Sequence, residues 1–136
     1  MTEPDTIVAL ARRWLGTPWH HQGRVRGVGV DCAGLVIGVA RDLGLDPVDV
    51  TGYGRRPDSD DLVRLIRAHL IEIPLAEAQP AAVLLMRIDG RAQHLGILTD
   101  VGLLHAYALA RRVVEHRIDP VWAERIVGAF VFPGRQ

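Results

Sequence analysis

Lysine is absent from this 136-residue chain: all 16 basic residues are arginine, set against 16 acids, so the formal net charge is zero. Any mechanism that needs a lysine amine is therefore excluded. A balanced charge also lacks the basic excess by which proteins neutralise a phosphate backbone, and no direct nucleic-acid partner is expected. No apolar run approaches the roughly 20 residues needed to span a bilayer, so no membrane partner is expected either. The opening "MTEPDTIVALARRWLG" places acids before an arginine pair, the reverse of a secretory signal. Synthesis in the cytoplasm without a signal peptide is the expectation. Cysteine occurs once, at Cys32, which rules out an internal disulfide and leaves a thiol that is either inert or reactive.

What the chain does have is apolar content, at 49%, enough over this length to bury one core. A single domain spanning residues 1–136 is expected. Ile7, Leu10, Ala11 and Trp14 recur at helical spacing behind Asp5 as a cap, predicting a helix over about 6–15. The stretch "WHHQGRVRGVGV" from Trp19 has no clean period and reads as a loop. A second helix is predicted over 32–43, with Asp31 capping its first amides, Leu35, Val36, Val39 and Leu43 forming an apolar face, and Gly44 closing it. "DPVDVTGYGRRPDSD" reads as an irregular connection, followed by a third helix from Ser59 to about Leu70. The second half is short, β-rich segments at 82–88, 94–100, 103–109, 111–118 and 125–132, parted by turns such as Asp89–Gly90 and Asp100–Val101–Gly102. The fold class expected is α+β, with N-terminal helices packed on a C-terminal antiparallel sheet.

The chemistry gathers around Cys32. A cysteine in the first turn of a helix meets unpaired N–H groups and the positive end of the helix dipole, an environment that can lower a thiol pKa from about 8.5 to roughly 3.5–7.5. A buried, inert thiol is the alternative. A nucleophile needs a base, and the base needs an orienting group. His94 is expected to open the strand "HLGILTD" at an edge facing the helices, and His105 to lie in the next strand. A hairpin through Asp100–Gly102 would then bring the two rings together. His20 and His21 with Cys32 lack the spacing of a metal site, so no metal or cofactor is expected. His69 and His116 have no motif context and read as surface or packing residues. Arg24, Arg26, Arg55 and Arg56 flank glycine-rich loops, as a groove rim or as a solvated face.

The segments "GTPWHHQG", "GVDCAGLV", "QHLGIL" and "LLHA" resemble the ordered motifs of the NlpC/P60 cysteine peptidases. The tail "VVEHRIDPVWAERIVGAFVFP" is similar to the phage and gene-transfer-agent cell-wall peptidase branch, and the likeness covers about residues 5–133. The resemblance implies a papain-like NlpC/P60 fold, Cys32 as nucleophile, His94 as general base and His105 as the third member. It further implies hydrolysis of peptidoglycan stem peptides, at the γ-D-glutamyl–diaminopimelate bond. Trp19 stands where the family often has tyrosine and Ala33 where it often has serine. Trp19 and Asp31 are candidate substrate-binding residues, the first as an aromatic wall and the second as a partner for a substrate ammonium or simply as the helix cap. Phage-tail or tail-hub proteins are the implied partners, docking at the 46–58 loop or the third helix, and the periplasm or cell wall is the implied site of action. Two other classes stay open: a tail or hub protein without catalysis, and a thiol amidase or acyltransferase acting on another amide.

Overall fold

The computed structural model describes residues 3–47, 59–88 and 91–134. Helix α1 runs Glu3–Arg12, α2 Cys32–Asp42 and α3 Ser59–His69, and a short α4 spans Pro120–Arg125. The strands are β1 (Arg24–Val25), β2 (Gly29–Val30), β3 (Ile71–Ile73), β4 (Val83–Ile88), β5 (Arg91–Leu98), β6 (Leu103–Tyr107), β7 (Arg112–His116) and β8 (Ile126–Val131). β1 and β2 form a small hairpin, and the other six make one antiparallel sheet in the order β3-β8-β4-β5-β6-β7. This is the α+β arrangement expected.

Most of the elements fall where hydrophobic period and capping put them, and the departures have physical causes. α1 begins at Glu3, so Asp5 lies inside the first turn rather than capping it, where its charge still favours the helix dipole. The predicted loop after Trp19 contains the β1–β2 hairpin, too short to show an alternating pattern. α2 has no polar face: every residue from Cys32 to Ala40 is buried, as in a helix enclosed by the rest of the fold. β5 starts at Arg91, so His94 is its fourth residue instead of its first, and the strand lies inside the sheet between β4 and β6, away from an edge. β3 and α4 had no counterpart in the reading of the sequence. The Asp89–Gly90 turn, Arg55 and Arg56, and the 48–58 part of the connection lie outside the described residues.

The sheet has two covered faces. On one, α1, α2 and α3 pack on alternate residues of the central strands, among them Val83, Leu85, Leu95, Ile97, Leu104 and Phe130. On the other, Leu84, Met86, Leu103 and Ala129 meet Ile118, Trp122 and Ile126 from the segment around α4. Arg12 closes the sheet onto α1. Its guanidinium donates to both oxygens of Glu115 on β7 and, at 2.7 Å, to Asp100 in the β5–β6 turn, while the Thr99 hydroxyl donates to Glu115 at 2.7 Å.

Small residues let α2 sit this deep. A Cβ on Gly34 would stand 2.2 Å from the Gly23 carbonyl oxygen, where the hairpin crosses the helix. A Cβ on Gly38 would stand 2.2 Å from the Trp14 ring, which lies against the helix and donates its Nε1–H to Asp42 at 3.3 Å. Adding a methyl group at Gly38 must push the buried indole off the helix. Gly38→Ala is accordingly expected to lower stability by about 1–3 kcal/mol, the usual cost of overpacking. Urea unfolding measures it, and an unchanged midpoint would show that Trp14 can move aside freely.

Candidate active site

The site begins with the residue before the cysteine. Asp31 has extended backbone, and its side chain accepts from the Gly34 N–H at 2.8 Å, as a helix cap does. The same carboxylate accepts from Arg24 Nη1 at 3.0 Å and from the Gln22 N–H at 2.9 Å. It is 4% exposed, so these donors offset the cost of burying a charge. Helix α2 must start at Cys32 for the bonds to form. The helix-cap role expected of this carboxylate is thus present, joined by its bonds to the hairpin.

Two strands open to receive that helix start. The β5–β6 ladder consists of Ile97↔Leu104 and Leu98↔Leu103, next to the turn; farther from the turn the strands are no longer paired. The backbone amide of Leu95 favours the charged form of the Cys32 thiol. His94, the neighbour of Leu95, is paired with Met86 of β4. His105 of β6 lies beside it, and the rings are hydrogen-bonded, His94 Nε2 to His105 Nδ1, at 2.6 Å. The expected meeting of the two histidines is what the fold produces. Gly96 keeps the space for it: a Cβ there would stand 2.5 Å from Leu103 Cδ1 and 3.2 Å from His105 Cβ.

The cluster extends beyond the expected residues. His105 Nε2 lies 2.8 Å from His116 Nε2, and His116 Nδ1 lies 2.8 Å from the Arg117 carbonyl oxygen. Trp122 of α4 packs edge-on to His105, with ring centroids 4.9 Å apart, and Tyr107 stacks on the same imidazole at 5.1 Å. Arg125 sits over the indole, its Cζ 4.4 Å from the ring centroid. Reading the sequence missed His116, Trp122 and Tyr107. Asp119–Pro120 is a recognisable helix start, and Asp119 does accept from the Trp122 N–H at 2.9 Å. The β6–β7 register that brings His116 beside His105 runs through Arg111, whose φ of 63° no local pattern announces.

Burial sets the charge states. The Cys32 thiol is pushed up to about 12, first by desolvation and then by the negative charge of Asp31, against the pull of the Leu95, Ala33 and Cys32 amides. The lowering expected from the helix start is outweighed. His94 is pushed down to about 4 by burial and the positive charge of Arg125, and His105 to about 2 by burial first and then by the repulsion its own charge would meet from His94, His116 and Arg125. At rest the site holds a thiol and neutral imidazoles. Of the remaining candidates, Trp19 is half-buried beside Val30, its backbone N–H donating to the Arg111 carbonyl at 2.9 Å and its ring stacked on His21. His20 turns its Nδ1 to the His21 carbonyl.

An antiparallel sheet, a buried helix beginning at a cysteine, and paired histidines on the adjoining strands define the fold as the α+β fold of NlpC/P60 domains. No protein-family model matches the chain, and no curated protein matches it. Solved structures do. The NlpC/p60 domain of the peptidoglycan hydrolase SagA superposes with a TM-score of 0.66 at 22% identity, over 95% of this chain and 98% of that one. An NlpC/P60 family protein of Bacillus cereus gives 0.72 at 20% identity, over 95% of this chain but 40% of its own. RipD of Mycobacterium tuberculosis, described as a non-catalytic NlpC/p60 domain protein adapted to peptidoglycan binding, gives 0.64 at 15% identity over 98% of both chains.

Neutral buried histidines make stability depend on pH in a definite direction. His94 has its folded pKa depressed from 6.5 to about 4, so below 6.5 the unfolded chain takes up a proton that the folded chain refuses. The stabilisation is complete above pH 6.5 and is lost as pH falls toward 4, at about 1.4 kcal/mol per pH unit for each such histidine. Urea midpoints between pH 7.5 and 4.5 should fall steeply for the native chain and less steeply for His105→Gln. Parallel pH dependences would mean that the folded histidines accept protons freely.

Proposed function

We propose that the protein is a cysteine peptidase that hydrolyses peptidoglycan stem peptides. The observation that carries this reading is the His94–His105 hydrogen bond on the strands that adjoin a helix beginning at Cys32. His94 takes the thiol proton as the sulfur attacks the scissile carbonyl, and the backbone N–H of Cys32 helps to hold the oxyanion. The imidazolium returns that proton to the leaving amine, giving an acyl-enzyme. Water, deprotonated by His94, adds to the thioester, and its collapse releases the carboxylic acid and restores the thiol. His105 orients the base through its other nitrogen. Because thiol and imidazole rest neutral, proton transfer belongs to the step in which substrate covers the site.

The γ-D-glutamyl–diaminopimelate bond is the preferred target, by resemblance of "GVDCAGLV" and "QHLGIL" to the family motifs. The C-terminal segment's similarity to the phage and gene-transfer-agent branch supports a role as a tail-associated hydrolase that opens the wall locally during delivery. A second reading, favoured by the raised thiol pKa, is a domain that binds stem peptides without cutting them.

Digestion of purified muropeptides, followed by mass spectrometry, tests the main reading. The native chain should release one new amino terminus per cut. Cys32→Ala should abolish cleavage, and His94→Gln should lower kcat by roughly a thousandfold or more, as loss of a member of a catalytic unit does. Saturable binding of intact muropeptides without products would instead establish the binding reading.

A further inference from the structure

We propose that His116 is a positioning residue that, through His105, sets which nitrogen of His94 carries the proton. This rests on the peptidase reading for its consequence, though not for its geometry. The Arg117 carbonyl oxygen has no proton to give, so His116 Nδ1, 2.8 Å away, must donate to it. A neutral His116 then presents the lone pair of Nε2, and His105 Nε2–H donates to it across 2.8 Å. That leaves His105 Nδ1 as an acceptor, and the bond across 2.6 Å is His94 Nε2–H donating. Each step leaves one choice, and together they strip the proton from His94 Nδ1. The bare nitrogen is the one a base must offer.

The order of donors runs in one direction because only its far end is fixed. Nothing about His94 or His105 alone selects a tautomer, since either ring could donate to the other. The carbonyl breaks that symmetry, and His116 transmits it. Burial keeps the first two rings uncharged: His94 and His105 are 7% and 0% exposed, and Trp122 packs against all three rings. Arg125, on the same short helix, disfavours a second positive charge on His94 and His105. When His94 takes the proton from the thiol, its Nε2–H bond to His105 becomes charge-assisted and stronger, so the relay stabilises the imidazolium as it forms.

Two-bond ¹H–¹⁵N correlation spectra of the histidine-labelled protein at pH 8 read the tautomers directly. In the native chain His94 should show a protonated Nε2 and a bare Nδ1. His116→Gln keeps an acceptor for His105 and should preserve that pattern, whereas His116→Leu removes it and should give His94 a mixed or reversed tautomer. On muropeptides, His116→Leu should lose about tenfold or more in kcat with little change in KM, and His116→Gln should restore most of the loss. A native His94 protonated at Nδ1, or a tautomer indifferent to His116→Leu, would overturn the proposal. Should His116→Leu not fold, the native and His116→Gln spectra decide it. The predicted spectra in a chain that cleaves no muropeptide would leave the relay standing and remove the peptidase reading.

Discussion

The carboxylate of Asp31 lies buried between the β1–β2 hairpin and the first turn of α2, holding the Gly34 amide, the Gln22 amide and the Arg24 guanidinium at once. A charge with so little solvent is tolerable only while all of its donors stay in place. The hairpin, the helix start and the cysteine that follows therefore form one unit. Gly34 is part of the same constraint, because the Gly23 carbonyl occupies the space where any side chain would go. The Asp-Cys-Ala-Gly sequence reads, in these terms, as a cap, a thiol and two residues small enough to be crossed.

Depth gives the site its electrostatic character. Helix amides at Cys32 favour a thiolate, yet burial disfavours the charged sulfur and Asp31 adds a negative charge beside it, so the thiol form prevails. The histidines respond to the same exclusion with the opposite sign, losing affinity for a proton. A thiol and imidazoles that are all neutral avoid the cost of a buried ion pair.

Much of this was legible in the chain. A cysteine directly behind an Asp cap reads as the first turn of a helix, since capping is a local bond between residues three apart. Two histidines on either side of a short turn read as neighbours, because a hairpin relates its strands simply. The reading stopped where the geometry became nonlocal. Strand β3 is only Ile71–Ile73 and exists because β8 returns beside it, and His94 lies within a central strand because β4 supplies pairing back to Arg91. His116 reads as no more than a surface or packing residue for the same reason.

From the sequence by itself came the class of fold, the helix start at Cys32 and the pairing of His94 with His105, all products of periodicity and short-range bonds. The tertiary structure alone decided that α2 would be buried on every side, that its thiol and the adjoining imidazoles would rest uncharged, and that a third histidine would join the first two. Burial and register are properties of elements brought together from distant parts of the chain. No stretch of residues carries them until the sheet has closed.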